Sequence, residues 1–87
     1  MASYIKFFND TSHPVISVYE GDFLIADCIL KNSSSDTIKI NYGSLDLTFR
    51  DNREKVFLRL WVSLFDDTEH MLVVKNDKSF LSKSKKP

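Results

Sequence analysis

The amino-acid sequence predicts an all-β fold, a small antiparallel β-sandwich of about six to seven strands, with a small β-barrel as the alternative. Three observations carry this prediction. Apolar and polar residues alternate with a period of two, and polar clusters of Asn, Asp and Ser interrupt the alternation every eight to twelve residues or so. Aromatic residues, which favour strands, make up 13% of the chain, so that even a small domain has large side chains to bury.

The length predicts one domain followed by a tail. A chain of 87 residues with 43% hydrophobic content is near the small end of the range that folds unaided. We assign residues 1–77 to a single sandwich domain. Residues 78–87 are rich in Lys and Ser and form a basic C-terminal tail, in which the apolar pair Phe80 and Leu81 is a candidate anchor.

Three strands are predicted in the first third of the chain, at 4–8, 15–19 and 23–31. A tight turn at Gly21 joins the second to the third. Alternation in the third strand assigns an apolar, inward face to Leu24, Ala26, Cys28 and Leu30, and a mixed face to Phe23, Ile25, Asp27, Ile29 and Lys31. Cys28 is therefore predicted to be a small buried hydrophobe.

Further strands are predicted at 38–42, 45–49 and 70–74. The loop at 32–36 consists of Asn, Ser and Asp, which hydrogen-bond their own backbone, and we interpret it as a hairpin loop. A charged turn at 50–54 and an acidic turn at 66–69 separate the later strands.

The segment 55–65 fits two patterns. As a strand it has an apolar face of Val56, Leu58, Leu60, Val62 and Leu64 opposite Phe57, Arg59, Trp61, Ser63 and Phe65. As a helix it has an apolar stripe of Phe57, Leu60, Trp61 and Leu64 at spacings of three and four. Five unbroken alternations, together with the content of β-branched and aromatic residues, favour the strand.

The stretch 20–40 resembles a recurring hairpin of immunoglobulin-like domains, in which an apolar strand precedes an Asn/Ser-rich loop and a short alternating strand. Residues 44–52, SLDLTFRDN, are similar to the strand that usually follows. The resemblance implies a β-sandwich with an adhesive or scaffolding role and no catalytic residues. The chain departs from the pattern in its long apolar strand at 55–65 and in lacking an export signal at its start.

Charge and cysteine content narrow the functional classes. Net charge is zero, with three basic against six acidic residues through Phe49 and nine against six from Arg50 onward, so the chain lacks the basic excess of a dedicated nucleic-acid binder.

Cysteine content and the N-terminus indicate the compartment. One cysteine cannot form an intramolecular disulfide, and the N-terminus lacks the apolar run of a signal peptide. No stretch is long and apolar enough for a membrane span. Because disulfides are typical of oxidising compartments, we expect a cytoplasmic protein.

No motif predicts catalysis or a bound cofactor. The acidic turn with Asp66, Asp67, Glu69 and His70 invites a calcium site, but one loop rarely supplies enough oxygen ligands, and no EF-hand spacing is present. Cys28, His13 and His70 have no recognisable zinc spacing, and a Cys–His nucleophile pair is disfavoured by the predicted burial of the thiol. We expect no catalytic residues, no metal and no cofactor.

The sequence thus predicts a non-catalytic protein–protein interaction domain. The candidate partner-binding residues are Phe57, Arg59, Trp61 and Phe65 on one mixed face and Phe23, Ile25 and Ile29 on another. A small viral or mobile-element inhibitor that blocks a host protein fits this description, and a homodimer formed through the same face fits it equally. The alternative is a single-stranded nucleic-acid-binding small β-barrel that stacks bases on the Phe57 face.

Overall fold

The structure is a computed structural model that describes residues 2–83. Within them the chain forms eight β-strands and no helix, which confirms the predicted all-β fold. These residues contain no helix that could cross a membrane. The count of eight exceeds the expected six to seven. In chain order the strands are β1 (Ala2–Asn9), β2 (Val15–Glu20), β3 (Phe23–Leu30), β4 (Ile38–Asn41), β5 (Gly43–Arg50), β6 (Val56–Leu64), β7 (Glu69–Val74) and β8 (Ser79–Lys83).

The strands divide into two four-stranded sheets. The β1 sheet has the order β4-β1-β7-β8, and the β2 sheet has the order β3-β2-β5-β6. The chain passes between the sheets after β1, β3, β4 and β6. The loop at 32–36 is therefore a crossover and not the predicted hairpin loop. Its backbone follows β1, where Asn9 N–H donates to Ser33 C=O and Ser35 N–H donates to Phe7 C=O.

One strand pairing is parallel, which corrects the expectation of a purely antiparallel fold. β1 lies in the middle of its sheet, antiparallel to β4 and parallel to β7, with Phe7 opposite Leu72. Alternation along a strand is the same for parallel and antiparallel partners, so the sequence pattern did not distinguish them. The β1 sheet is mixed.

The two sheets enclose one hydrophobic core. Phe7 of the β1 sheet meets Phe49 of the β2 sheet edge to face, with ring centroids 6.0 Å apart and planes inclined at 73°. Every strand except β4 and β8 contributes a buried apolar side chain. The buried apolar residues are Ile5, Phe7, Ile16, Val18, Ala26, Ile29, Leu47, Phe49, Val62, Leu64, Leu72 and Val74.

Two bulges in β3 overturn the predicted faces of that strand. Ile16 pairs with Ile29 and Val18 with Ala26, so three steps along β3 match two along β2. The extra residue is accommodated at Cys28, which has a positive φ of 53°. Alternation restarts one residue later, which turns Ile29 into the core and leaves Cys28 exposed, contrary to the predicted burial of the thiol.

The second register shift lies between Val18 and Tyr19, whose β3 partners are Ala26 and Leu24. Together the two shifts move Leu24 and Leu30, which the sequence placed on the inward face, to exposed positions. Of the predicted inward row only Ala26 is buried.

Segment 55–65 is a strand over Val56–Leu64 and not a helix. Its pairing with β5 is regular from Gly43 opposite Leu64 to Phe49 opposite Leu58, and then one extra residue intervenes before Arg50 pairs with Val56. The extra residue is Phe57. Val62 and Leu64 are buried as predicted, whereas Val56 is exposed.

Part of the predicted C-terminal tail belongs to the fold. Ser79–Lys83 form β8 and pair antiparallel with β7, with Leu72 opposite Leu81 and Val73 opposite Phe80. Phe80 and Leu81 are both exposed. The rest of the predicted tail, residues 84–87, lies outside the described residues.

Candidate protein-binding surface

The face of the β2 sheet that points away from the core carries a set of large polar and aromatic side chains. Leu47 and Phe49 of β5 are buried, so the residues that alternate with them point outward. The register then aligns Tyr19 of β2, Thr48 of β5 and Arg59 of β6 in one row across three strands. We call this surface the outer face; its residues are Tyr19, Leu24, Ser44, Asp46, Thr48, Arg50, Arg59, Trp61 and Ser63.

Arg59 is held in place by Asp46. Its Nε donates to Oδ1 at 3.0 Å and its Nη2 donates to Oδ2 at 2.8 Å, a bidentate geometry that fixes the plane of the guanidinium. The hydrogen bonds with Asp46 raise the pKa of Arg59 above its ordinary value. Asp46 and Arg59 lie on adjacent strands as diagonal neighbours, because Arg59 is two residues from Trp61, the residue opposite Asp46. An arginine held in this way loses little side-chain freedom when a partner covers it.

Trp61 is the most prominent apolar side chain of the outer face. It is 68% exposed, it lies directly opposite Asp46, and Arg59 is two residues away on the same face of the strand. Ser63 and Ser44 continue the face beyond it, with their hydroxyl oxygens 3.0 Å apart. Large exposed aromatics beside an arginine are the side chains most enriched in binding hot spots.

A second aromatic–arginine pair lies in the middle of the sheet. The Arg50 guanidinium carbon is 4.0 Å from the centroid of the Tyr19 ring, a cation–π contact. Arg50 Nε is buried and has no hydrogen-bond partner among the described residues. The outer face therefore combines two arginines with a tyrosine and a tryptophan.

The structure brings together two of the four residues predicted from segment 55–65. Arg59 and Trp61 share the outer face, but Phe57 does not. The register shift turns Phe57 inward, where its ring centroid lies 4.5 Å from that of His13 and 6.5 Å from that of Phe49. Its assignment to the exposed face was wrong because the bulge adds one residue to the strand.

Phe65 is exposed but lies beyond the end of β6. Its ring packs edge-on against Tyr42, with centroids 6.3 Å apart. The Tyr42 hydroxyl donates to Asp67 Oδ1 at 2.5 Å, and this hydrogen bond raises the pKa of Tyr42 to about 12. Phe65 therefore belongs to a small cluster beside the acidic turn.

The other predicted set, Phe23, Ile25 and Ile29, does not form one surface. Phe23 is exposed at the start of β3, Ile25 is half-buried against the core, and Ile29 is a buried core residue. The assignment of Ile29 to an exposed mixed face was wrong. The bulge at Cys28 adds one residue to the strand, so Ile29 points to the same inward face as Ala26.

The acidic turn is organised by hydrogen bonds. Lys83 Nζ donates to Asp66 Oδ2 at 2.7 Å, and the Thr68 hydroxyl and N–H donate to Oδ1. These hydrogen bonds hold the pKa of Asp66 well below its usual range, and the bond from Lys83 has the largest effect. His70 is buried, with Nδ1 3.2 Å from the carbonyl oxygen of Tyr4. Among residues 2–83 no three His, Cys, Asp or Glu side chains are grouped to hold a metal ion.

Sequence reasoning missed a second surface, on the far side of the β1 sheet. Register places Phe8, Val73 and Phe80 in one row across three strands, next to Lys6 and Met71. Lys78 Nζ lies 5.7 Å from the Phe80 ring centroid. The alternation of Tyr4, Lys6 and Phe8 with Ile5 and Phe7 was visible in the sequence, but the pairing of β1 with β7 was not. We call this surface the β1-sheet face.

No protein-family model matches this chain, and no curated protein is significantly similar to it.

Proposed function

We propose that the protein is a non-catalytic protein-binding domain and that the outer face is its contact surface. The supporting observation is the exposed Trp61 beside Arg59, whose guanidinium makes two hydrogen bonds to Asp46. A rigid aromatic and a pre-oriented arginine give up little conformational entropy on binding, which is what distinguishes a hot spot from an ordinary exposed side chain.

We further propose that the fold is an immunoglobulin-like sandwich and that the protein acts in the cytoplasm, as a small viral or mobile-element inhibitor would. The exposure of Cys28, the one cysteine of the sequence, supports the choice of compartment. In an oxidising environment such a thiol pairs with other molecules, whereas a reducing environment keeps it unreacted.

A matched pair of variants tests the contact surface. Wild-type protein, Trp61→Ala and Phe80→Ala are immobilised and exposed to a lysate of the native source or its host. Both substitutions remove an exposed aromatic, but from opposite sides of the molecule. A protein retained by wild type and Phe80→Ala and lost by Trp61→Ala supports the proposal. With that protein purified, we expect Trp61→Ala to raise the Kd of the complex by about 30-fold, which corresponds to a loss of about 2 kcal/mol of binding free energy.

Equal retention by all three proteins, or loss on Phe80→Ala alone, contradicts the use of the outer face. Circular dichroism and thermal unfolding of both variants establish that the comparison is between folded proteins. Neither side chain belongs to the buried core.

Binding of single-stranded nucleic acid is the second candidate, and the β1-sheet face is the observation that favours it. Exposed or half-buried Tyr4, Phe8 and Phe80 supply rings for base stacking, while Lys6 and Lys78 supply positive charge. The Phe57 face that the sequence suggests for this role is less suitable, because Phe57 is turned inward and the charge of Arg59 is matched by Asp46.

The same two variants separate the candidates. If nucleic acid binds, a fluorescent oligothymidine is retained at low salt, its affinity falls steeply as salt rises, and Phe80→Ala weakens it while Trp61→Ala does not. An absence of binding at low salt removes this candidate.

A further inference from the structure

The two sheets have four edge strands, and three of them carry features that discourage pairing with another chain. β3 is interrupted by two bulges, β4 has four residues and β8 has five. Bulges and short lengths are the devices by which natural sheets keep their edges from adding strands.

β6 is the exception over residues 58–64, the part that follows its bulge at Phe57. It has nine residues and pairs only with β5 among residues 2–83, so one long side of it is open. From Leu58 to Leu64 its pairing with β5 is regular, and the segment contains no Pro, Gly or Lys. Its one charged residue, Arg59, is matched by Asp46. An edge of this kind is a template for strand addition.

The hydrogen bonds of β5 show which β6 groups point to the open side. Asp46 C=O accepts from Gly21 N–H, so the backbone groups of Asp46 point toward β2 and away from β6. Trp61 is opposite Asp46, so the two residues form a non-hydrogen-bonded pair. In such a pair of an antiparallel ladder, the backbone N–H and C=O groups of each residue point away from the other strand. The N–H and C=O of Trp61, and by alternation those of Arg59 and Ser63, therefore face the open edge.

We infer that β6 pairs antiparallel with β6 of a second copy of this chain, with Leu60 opposite Leu60 on the two-fold axis. This register places Arg59 of each copy opposite Trp61 of the other and aligns their edge-facing backbone groups. It also continues the inward row, with Leu58 opposite Val62. The result is one eight-stranded sheet with a two-fold axis at its centre.

Side-chain chemistry favours this register over the neighbouring one whose axis lies at Arg59. A guanidinium opposite an indole on the same face gives a cation–π pair, and the symmetry makes two of them. Moving the axis one residue toward the N-terminus places Arg59 opposite Arg59, a like-charge pair. Shifts that place an edge-facing residue opposite one that faces β5 lose the hydrogen bonds altogether.

The inference goes beyond the proposed function. Self-pairing along the edge leaves the outer faces of the two copies on the same side of the joined sheet. A different protein can still bind there, and the surface offered to it is twice as wide.

Sedimentation equilibrium of the full chain tests the inference, with Ser63→Pro and Ser63→Ala as matched variants. Both substitutions remove the hydroxyl that lies against that of Ser44. Only proline also removes the backbone N–H of residue 63. That N–H faces the open edge, and an edge strand tolerates proline at such a position. We expect twice the monomer mass for wild type and Ser63→Ala as concentration rises toward about 1 mM, and the monomer mass for Ser63→Pro.

Trp61→Lys is the second disrupting variant, used if circular dichroism shows that Ser63→Pro does not fold. It places a lysine opposite Arg59 of the other copy, and we expect this like-charge pair to leave the protein a monomer. A wild type that stays monomeric over the whole range overturns the inference, as does a dimer that persists in the folded disrupting variant. The lysate experiment with Trp61→Ala and Phe80→Ala is read separately, so a missing dimer and a missing partner are distinct outcomes.

Discussion

Arg59 and Asp46 are joined by two parallel hydrogen bonds across neighbouring strands, and both bonds lie on a face that the core leaves to solvent. The geometry implies that this arginine is rigid even though most of its side chain is exposed. The rigidity is a property that can be measured in the absence of any partner.

We expect the Arg59 Nε–H group to show a higher order parameter, and therefore more restricted motion, than that of Arg53, an exposed arginine of the 50–54 turn, in ¹⁵N relaxation measurements. Asp46→Asn should remove the difference, because an amide cannot accept both guanidinium bonds as a carboxylate does. Equal order parameters for the two arginines in wild type would contradict the pre-orientation of Arg59.

The bulge at Cys28 predicts unequal effects at two adjacent apolar residues. Ile29 is 2% exposed and Leu30 is 56% exposed. Ile29→Ala should lower the free energy of unfolding by about 2–5 kcal/mol, the cost of a cavity in a packed core. Leu30→Ala should change it by no more than about 0.5 kcal/mol. Urea unfolding of both variants measures the difference, and an unbroken alternation would produce the opposite ranking.

The exposed thiol predicts rapid alkylation. Iodoacetamide should modify Cys28 in the folded protein at a rate close to that in the denatured chain, because the side chain is in solvent. A matched control is the double variant Cys28→Ser, Val62→Cys, whose new thiol lies in the core and should react far more slowly. Rapid labelling of Cys28 follows from exposure alone and is not evidence of a catalytic nucleophile. Protection of Cys28 in the native state would contradict the bulge.

The Tyr42–Asp67 hydrogen bond predicts a stability change in alkaline solution. It raises the pKa of Tyr42 from 10.0 to about 12. A group whose pKa is raised by folding stabilises the protein fully below its unfolded pKa and loses that contribution as pH rises to the folded pKa. Between pH 10 and 12 wild type should therefore lose stability that Tyr42→Phe does not.

Ultraviolet titration of the phenolate checks the same prediction directly. The difference between wild type and Tyr42→Phe isolates the Tyr42 signal, and Asp67→Asn should return its midpoint toward 10.0. A midpoint already at 10.0 in wild type would show that the hydrogen bond does not form.

The alternation of the sequence was sufficient to predict the all-β fold and part of the buried row of β6, Val62 with Leu64. It could not predict where alternation breaks. A bulge with a positive φ is usually marked by glycine, and here Cys28 occupies that position without any local signal.

The candidate site was predictable only in part. Arg59 and Trp61 were identified from β6 alone, because alternation places them together. Asp46, Tyr19 and Arg50 were missed, since their contribution depends on how three strands are aligned, and the alignment is set by long-range packing.

The parallel pairing of β1 with β7 has a consequence for biosynthesis. Translation delivers β1 first, yet one of its two neighbours in the sheet is made only when Glu69–Val74 leave the ribosome. Until then the backbone groups of β1 that pair with β7 have no partner strand. We therefore expect the nascent chain to stay open to proteases and to self-association until Glu69–Val74 emerge, after which closure of the long loop between β1 and β7 limits the folding rate.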